Sequence, residues 1–400
     1  MSSYYSRLSH PSHLLNAWKG VSKSNKFSHG FDERTIKDFS DHLGEEILIL
    51  SSELRSKTFQ FTPSRGVLIE KDGSKRRPIK VPAVRDRVVL NGIKDLISSK
   101  FKGFDLDCSF GYVKGRNVRN AIDRVLQLAA DGNRCVLEAD IKKFFDNVNQ
   151  PLLLAMFMKE VRAGSLRPLL EQAIRVEVGN LSSFTPADRE MFPAPDSGIP
   201  QGGVLSPMLA NFYLHTFDAA MMGRGFKLVR YADDFVVMCK TQREAEEAYA
   251  ACVDTLEGQL KLTMHHLDDS SGKTRIGWFS DGLSFLGIRF ENGKVFPVEK
   301  VVNSFREKIQ LHTDPSRNPT ILGSLIKLSN IVKGWGNVFG RYDTEQLFQD
   351  LDNLIRESMT KFLRHHGFYR AHHSLGKHHM KILGMPSLSK IRSDAVSDRS

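Results

Sequence analysis

Two neighbouring acids at a turn between apolar runs constrain this chain most. Phe226-Lys-Leu-Val-Arg-Tyr and Phe235-Val-Val-Met-Cys-Lys have the pattern of strands, and Ala232-Asp-Asp separates them. A third acid, Asp140, ends another apolar run, Cys135-Val-Leu-Glu-Ala-Asp. If these strands are neighbours in one sheet, the three carboxylates meet at one edge. The pattern therefore predicts a hairpin with acids at its turn and a third acid beside them.

Such an acidic cluster indicates a metal site for phosphoryl chemistry. An isolated Asp-Asp pair at a turn is most often only a turn, because Asp favours these positions for local hydrogen bonds. Clustered carboxylates, however, repel one another and raise their own pKa values, so they are seldom assembled without a cation. Magnesium is the natural choice. Two such ions about 3.5–4 Å apart can activate a 3′-hydroxyl and stabilise the leaving oxygen, which is nucleotidyl transfer.

The remaining pattern mixes helices and strands. Apolar spacing predicts helices over residues 31–54, 83–101, 150–161, 204–222 and 244–260. Residues 59–75 have strand-turn-strand chemistry around Asp72-Gly73, residues 181–198 resemble a loop, and residues 283–297 resemble a hairpin with an Asn-Gly turn. Beyond Pro297 the pattern is helical to about residue 366, with interruptions at Gly334, Gly336 and Gly340.

Composition fits a large globular chain that meets phosphate. The 400 residues, 40% of them hydrophobic, suffice for two or three lobes. Lys plus Arg total 57 against 46 Asp plus Glu, and the net charge of +11 suits nucleic acid, although self-repulsion of a basic monomer is the plainer alternative. No stretch has the roughly 18 apolar residues of a membrane span, and no signal core opens the chain. Four cysteines without disulfide or zinc spacing favour a reducing cytoplasm.

Three blocks resemble bacterial reverse transcriptases related to group II intron-encoded proteins. They are Leu137-Glu-Ala-Asp-Ile-Lys-Lys-Phe-Phe-Asp-Asn-Val, Gly198-Ile-Pro-Gln-Gly-Gly-Val-Leu-Ser-Pro and Tyr231-Ala-Asp-Asp, in the family's order and spacing. The resemblance covers about residues 15–345 and implies an RNA-directed DNA polymerase. Its α+β right-hand fold has fingers, a palm made of an antiparallel sheet with helices, and a helical thumb.

The resemblance also implies a domain order. We expect an N-terminal extension and fingers over residues 1–133 and a palm with fingers insertions over residues 134–280. A primer-grip-like hairpin follows over residues 281–297, then a helical thumb over residues 298–366 and a basic, His-rich tail over residues 367–400. That tail could clamp RNA phosphates, or it could simply fray.

At the acidic edge, the resemblance assigns catalytic roles. Asp140, Asp233 and Asp234 are the expected catalytic residues, holding two Mg²⁺ ions (Mn²⁺ as an alternative) with the backbone carbonyl of Ile141. Phe145 matches a steric gate that excludes a 2′-hydroxyl from the incoming sugar. Its plainer alternative is an ordinary core aromatic beside Phe144, since an aromatic buries well almost anywhere.

Further positions match nucleotide contacts of the family. Gln201 matches a contact to the incoming nucleotide and template, and Gly202 lets backbone approach nucleic acid, although this run could be only a helix-entry turn. Lys71 and Arg77 suit triphosphate oxygens, although charge runs are usually solvated faces. Lys273 matches the family's lysine near the leaving phosphates.

Two more segments resemble nucleic-acid contacts. Ser109-Phe-Gly-Tyr-Val-Lys-Gly-Arg-Asn-Val resembles the template-binding block, with Val-Lys where Arg-Pro is more usual, and gives Lys114 and Arg116 as contacts. Val332-Lys-Gly-Trp-Gly-Asn-Val-Phe resembles an intron-type thumb and gives Trp335. Trp335 could also serve only to anchor helices.

The expected partners are a structured noncoding RNA template, dNTPs and a cDNA product, without a membrane. Residues 346–400 contain no cysteine, unlike the nuclease region that often follows the thumb in intron proteins. We therefore expect a stand-alone defence-associated enzyme, closest to the single-domain type 2 systems, that protects against phage. Retron enzymes, an RNA-binding maturase without polymerase activity and template-independent DNA synthesis are the alternatives.

Overall fold

The computed structural model describes residues 3–21, 24–71, 75–98, 100, 106–270, 272–318, 320–368 and 375–397. The chain divides into two compact units, residues 1–276 and residues 277–400. The predicted Asp72-Gly73 turn lies outside the described residues. Among the described residues, no helix is both long enough and apolar enough to cross a membrane.

The first unit mixes helices with two sheets. Its helices are α1 (Tyr4–Leu8), α2 (Pro11–Lys19), α3 (Ile36–Asp41), α4 (Leu43–Ser56), α5 (Val84–Ser98), α6 (Val118–Ala130), α7 (Phe144–Asn147), α8 (Gln150–Val161), α9 (Arg167–Ile174), α10 (Pro186–Arg189), α11 (Ser206–Gly223) and α12 (Gln242–Val253). The strands are β1 (Arg65–Lys71), β2 (Lys75–Val81), β3 (Cys135–Asp140), β4 (Lys227–Tyr231), β5 (Asp234–Cys239) and β6 (Arg275–Trp278), which crosses the boundary between the units.

A four-stranded sheet in the order β4-β5-β3-β6 forms the centre of this unit. Strands β3 and β5 are antiparallel, as are β4 and β5. Helix α12 contacts β3 and β5, while α6 and α11 contact β4. Because helices cover these strands, β5 is buried from Phe235 through Cys239 without the alternation of a half-exposed strand. This burial explains why the sequence shows short continuous apolar runs here.

Helix boundaries in this unit depart from the periodicity at two places. The helix predicted over residues 31–54 is two helices, α3 and α4, because the chain turns at His42, whose φ is −118° and ψ is 26°. Both helices bury apolar residues, so the periodicity continues across the break. The helix predicted over residues 244–260 is α12 followed by a π-helix, Asp254–Gln259. The wider turn shifts the last residues out of the 3.6-residue period.

The second unit holds a small sheet and five helices within its described residues. The strands are β7 (Leu283–Phe285), β8 (Ile288–Glu291) and β9 (Lys294–Pro297), and the helices are α13 (Glu299–His312), α14 (Ile321–Phe339), α15 (Glu345–His365), α16 (Lys377–Ile382) and α17 (Leu388–Ser397). The predicted single hairpin is thus a three-stranded antiparallel sheet. Leu286 and Gly287 form the extra turn with φ of 51° and 79°, and a leucine gives no sequence signal for such a turn.

Helix α14 corrects the expectation that glycines interrupt the pattern beyond residue 297. It runs through Gly334 and Gly336 and ends before Gly340. A Cβ at Gly336 would lie 2.9 Å from Cδ1 of Ile391 on α17. The glycine therefore permits close approach of two helices, a role that single-sequence patterns do not distinguish from helix breaking. The expected tail over residues 367–400 contains α16 and α17, and α17 packs on α14 and α15.

Candidate active site

The three predicted acids lie at one edge of the central sheet. Asp140 and Asp234 are direct cross-strand partners of β3 and β5. Tyr231 pairs with Asp234 across the hairpin, so Ala232 and Asp233 form a two-residue turn. Ala232 has a φ of 58°, a conformation that favours glycine at the first position of such a turn. The hairpin therefore brings Asp233 next to the facing pair at the cost of some backbone strain.

A cationic side chain contacts this acidic edge. Nζ of Lys273 lies 2.8 Å from Oδ2 of Asp140 and 3.3 Å from Nε2 of His265. The backbone N–H of His265 donates to the carbonyl of Asp140 (3.0 Å), and Nδ1 of His265 lies 3.0 Å from Oδ2 of Asp269. Lys273 thus offsets the repulsion between carboxylates, which is greatest for like charges directly opposite on neighbouring strands.

The donor set suits magnesium without forming a closed cage. Across the described part of the chain, no three His, Cys, Asp or Glu side chains converge closely enough to hold an ion by themselves. Magnesium commonly keeps several waters and uses one or two carboxylates together with substrate phosphates. Asp140 and Asp233, partly exposed at the sheet edge, are carboxylates of that kind. The residues present therefore fit Mg²⁺ bound jointly with a nucleotide.

The turn that carries Gln201 packs against the segment that carries Phe145. The backbone N–H of Ile199 donates to the carbonyl of Phe145 (2.7 Å), and Nε2 of Gln201 donates to Oδ1 of Asp146 (2.9 Å). Phe145 is half-buried and meets Phe144 edge to face, with ring centroids 5.3 Å apart. The structure thus joins the predicted gate and the predicted nucleotide contact through Asp146, a residue that the sequence analysis did not single out.

The same turn contacts strand β2. The backbone N–H of Lys80 donates to the carbonyl of Gln201 (2.9 Å). Gly202 has a φ of 90°, and a Cβ there would lie 2.6 Å from Cγ2 of Ile79. Glycine at this position therefore permits close packing on the β1-β2 hairpin. The approach of this backbone to nucleic acid stays a prediction.

Basic residues of the β1-β2 hairpin have different environments. Arg77 is exposed, as a triphosphate contact requires, whereas Arg76 forms an ion pair with the buried Asp188. Lys80 is buried, its Nζ donates to the carbonyl of Val176 (3.0 Å), and burial lowers its pKa. The backbone of Lys71 lies in β1, and its side chain is outside the described residues.

Within the template-like block, Lys114 and Arg116 also differ. Lys114 is exposed. Nη1 of Arg116 donates to the carbonyls of Leu106 (2.6 Å) and Ser109 (2.5 Å), so this side chain holds its own loop. Its predicted contact with nucleic acid stays a prediction. Arg116 accordingly has a structural task that the sequence pattern did not indicate.

Tyr112 is a candidate that the sequence analysis missed. Its side chain is 54% exposed and its φ is 61°. Partial desolvation raises the pKa of Tyr112, and the charge of Asp233 raises it further while Arg77 opposes the shift. An exposed aromatic ring in electrostatic reach of both groups can stack on a base. Its position inside the template-like block was the available signal.

Trp335 lies among aromatic rings of the second unit. Its ring stacks on Phe305, with centroids 4.5 Å apart, and also contacts Phe339 and Phe348. Packing of α13, α14 and α15 accounts for these contacts. The predicted contact between Trp335 and nucleic acid stays a prediction.

Comparison with known proteins assigns the chain to a family. Residues 69–290 match the family model for reverse transcriptases, described as RNA-dependent DNA polymerases, over more than half of the chain. This chain belongs to the reverse transcriptase family. It is an RNA-directed DNA polymerase, and the α+β right-hand polymerase fold expected from the sequence is confirmed. Residues 302–378 match a second model, the maturase-specific domain of group II introns.

Several individual proteins are similar to this chain. Protein YkfC of Escherichia coli strain K12 is 31% identical over 309 residues, which cover 67% of this reverse transcriptase and 78% of YkfC. The group II intron-encoded protein LtrA of Lactococcus lactis is 25% identical over 242 residues, covering 60% of this chain and 37% of LtrA. A chain of the partial Cas6-RT-Cas1–Cas2 complex is 25% identical with a TM-score of 0.37, covering 64% of this chain and 42% of that one.

Proposed function

We propose that this reverse transcriptase makes cDNA on a cognate structured noncoding RNA, using Asp140, Asp233 and Asp234 for two-metal nucleotidyl transfer. The observation that carries the proposal is the direct pairing of Asp140 with Asp234 beside the Asp233 turn, in a chain of this family. Bound magnesium would activate the primer 3′-hydroxyl and stabilise charge on the leaving pyrophosphate. Asp140 and Asp233, with the carbonyl of Ile141, would hold the two ions.

The other side chains would select and orient the nucleotide. The 3′-oxygen forms a bond to the α-phosphorus, the bond to the bridging oxygen breaks, and pyrophosphate leaves. Arg77 and Lys71 would neutralise triphosphate oxygens, and Lys273 would move from Asp140 toward the leaving phosphates. Phe145 would exclude a 2′-hydroxyl, while Gln201, fixed by Asp146, would orient the base pair. Each of these roles extends the resemblance noted from the sequence.

The RNA partner is supported by charge and by the second family match. A net charge of +11 favours phosphate-rich partners, and the maturase-specific match over residues 302–378 favours a structured RNA. Lys114 is exposed and suits a phosphate contact. A role of the cDNA in antiphage defence is a separate proposal that rests on the resemblance to stand-alone bacterial enzymes. Phage plating on cells with the wild type and with D233N tests it, and equal protection would reject it.

Sequencing the RNA and DNA that copurify with the full-length chain tests the proposed function. Wild type should yield one enriched RNA and DNA complementary to it. D233N should retain the RNA and lose the DNA, because binding uses basic groups and synthesis uses the carboxylate. Complementary DNA in equal amounts from both proteins would contradict the proposal.

A maturase is the second candidate, favoured by the match over residues 302–378. It would fold an intron RNA without copying it. Recovery of an intron RNA without any cDNA, unchanged by D233N, would support this candidate over the polymerase function.

A further inference from the structure

Arg230, directly before the Tyr231-Ala-Asp-Asp turn, has a fully buried side chain. It lies in β4 and its exposure is 0%, as is that of its partner Asp218 on α11. Burying a guanidinium is unfavourable unless its charge is paired and its N–H groups all find acceptors. The surroundings of Arg230 therefore have to supply a complete set of partners.

All five N–H donors of this guanidinium have an acceptor. Nε and Nη2 donate to the two carboxylate oxygens of Asp218 at 2.6 and 2.5 Å, a bidentate arrangement. Nη1 donates to Oδ1 of Asn211 (3.1 Å) and to the backbone carbonyl of Ala232 (2.8 Å). Nη2 also donates to Oγ of Ser109 (2.8 Å). One of the five bonds thus ends on the main chain of the catalytic turn itself.

The acceptors come from elements that enclose this turn. Asn211 and Asp218 are seven residues apart on α11, which is two helical turns, and so share a face. Nδ2 of Asn211 donates to the carbonyl of Gly111 (2.8 Å). A Cβ at Gly111 would lie 2.3 Å from the backbone N of Ala232. Arg230 therefore holds the carbonyl of residue 232, and the backbone of Gly111 approaches the nitrogen of residue 232 so closely that there is no room for a Cβ.

We propose that Arg230 is the positioning residue that fixes the Ala232-Asp233 turn and thereby the metal-binding carboxylate of Asp233. The inference rests on the proposed function, since it concerns the same acidic site. A buried ion pair is a weak source of stability compared with apolar packing, so stability alone gives little reason for a charge here. The planar fork, by contrast, lets one side chain connect α11, Ser109 and the turn at fixed angles.

Two variants of different severity test this role. R230K keeps the charge but loses the fork, so it cannot hold Asp218 and the Ala232 carbonyl together. S109A removes a single acceptor and leaves the pair with Asp218 in place. R85K is the matched control, because Arg85 on α5 forms its ion pair with Glu53 on α4 and not with a residue of the turn. D233N serves as the reference for loss of the metal site.

Metal binding is measured directly by Mn²⁺ titration and indirectly by the Mg²⁺ dependence of activity. Free Mn²⁺ is titrated against each purified full-length protein and followed by electron paramagnetic resonance, and the Mg²⁺ dependence of primer extension is measured with the KM for dNTP. R230K should weaken Mn²⁺ binding and raise the half-saturating Mg²⁺ concentration by about 10-fold or more, the scale for groups that orient metal ligands. S109A should change the Mn²⁺ affinity and the half-saturating Mg²⁺ concentration in the same direction but by less. R85K should change neither quantity. The KM for dNTP should stay near the wild-type value in all of these variants.

The outcomes separate this inference from the proposed function. If D233N loses Mn²⁺ binding while R230K and S109A keep wild-type binding and Mg²⁺ dependence, Arg230 has only a structural role and the inference is overturned. If R230K does not fold, S109A decides in the same way. If wild type and D233N bind Mn²⁺ equally, the metal site itself is refuted, and the proposed function fails together with the inference.

Discussion

Asp140 and Asp234 face each other across two antiparallel strands, and like charges in that arrangement repel. The meeting of these acids at one sheet edge was predictable, because Asp140 ends one apolar run and Asp234 directly precedes another. The contact of Lys273 with Asp140 was not, since 133 residues separate the two in the chain. Short-range patterns predict which residues end strands, whereas the cation that balances them depends on tertiary packing.

Replacing Phe145 by alanine tests the predicted gate. Phe145→Ala should relax discrimination between dNTP and rNTP by at least about 10-fold, because the plane that would meet a 2′-hydroxyl is removed. Phe145→Tyr keeps the ring and should keep the discrimination. The measurement is kcat/KM for matched dNTP and rNTP on one RNA template. Unchanged discrimination in Phe145→Ala would reject the gate role.

Adding one methyl group at Gly111 tests the tight backing of the catalytic turn. A Cβ there would lie 2.3 Å from the backbone N of Ala232, so Gly111→Ala must displace the turn. A displacement of about 1 Å near reacting groups can lower the rate about 100-fold, and we expect kcat to fall by that order. Gly164→Ala is the control, because nothing lies within 4 Å of its added carbon. A wild-type kcat in a folded Gly111→Ala protein would show that the close approach of Gly111 to Ala232 does not control the position of the turn.

We expect Asp86 to make the free energy of unfolding of this chain depend on pH. Burial raises the pKa of Asp86 from 3.8 to about 7, and the backbone N–H of Thr62, 2.9 Å from Oδ2, opposes this rise only in part. Between pH 3.8 and about 7, the folded state therefore holds a proton on Asp86 that the unfolded state has released. Stability from this group is full below pH 3.8 and is lost as pH rises toward 7, by about 1.4 kcal/mol per pH unit.

Asp86→Asn should remove this dependence while its amide oxygen still accepts from Thr62. Free energies of unfolding from urea titrations at pH 4, 5.5 and 7.5 check the prediction. As pH rises, the free energy of unfolding of the variant should increase relative to that of wild type. Above pH 7 the variant should be the more stable protein. If the free energies of unfolding of the two proteins changed in parallel with pH, the assignment of a raised pKa to Asp86 would be contradicted.

At the scale of elements, the bounds of some strands and helices were predicted well. Strand β3 ends at the predicted Asp140, and helix α8 spans the predicted residues 150–161. The extra turn between β7 and β8 was missed because Leu286 adopts a positive φ that sequence rules assign to glycine or asparagine. Tertiary contacts set that turn, so local propensity could not reveal it.

Two glycines of one helix test the packing of α14 against α17. Gly334→Ala meets nothing within 4 Å and should stabilise α14 by about 1 kcal/mol through helix propensity. The same change at Gly336 brings the methyl to 2.9 Å from Ile391, and overpacking of about 1–3 kcal/mol offsets that gain. Hydrogen exchange of the α14 amides in the full chain measures both. Equal protection of the α14 amides from exchange in the two variants would show that α17 does not pack closely against residue 336.

At the scale of the whole molecule, family blocks predicted the fold class and activity, and composition predicted a phosphate-rich partner. The network around Arg230 was beyond sequence reasoning, because Ser109, Asn211 and Asp218 look unrelated along the chain. All three accept hydrogen bonds from Arg230 only because folding brings β4, α11 and the segment before Gly111 together. Such buried polar networks are satisfied in three dimensions and leave no periodic trace.

Primer extension by the purified chain measures RNA-directed DNA synthesis at the proposed acidic site. The substrate is a DNA primer annealed to an RNA template, with dNTPs and Mg²⁺, and the proteins are wild type, D233N and D123N. The control residue, Asp123, forms a surface pair with Arg119 on α6. Wild type and D123N should extend the primer to the template end at equal rates, and D233N should be at least about 100-fold slower, the scale for losing one transition-state contact. Extension by D233N at the wild-type rate would show that Asp233 is not catalytic, and no extension by wild type would refute the polymerase activity.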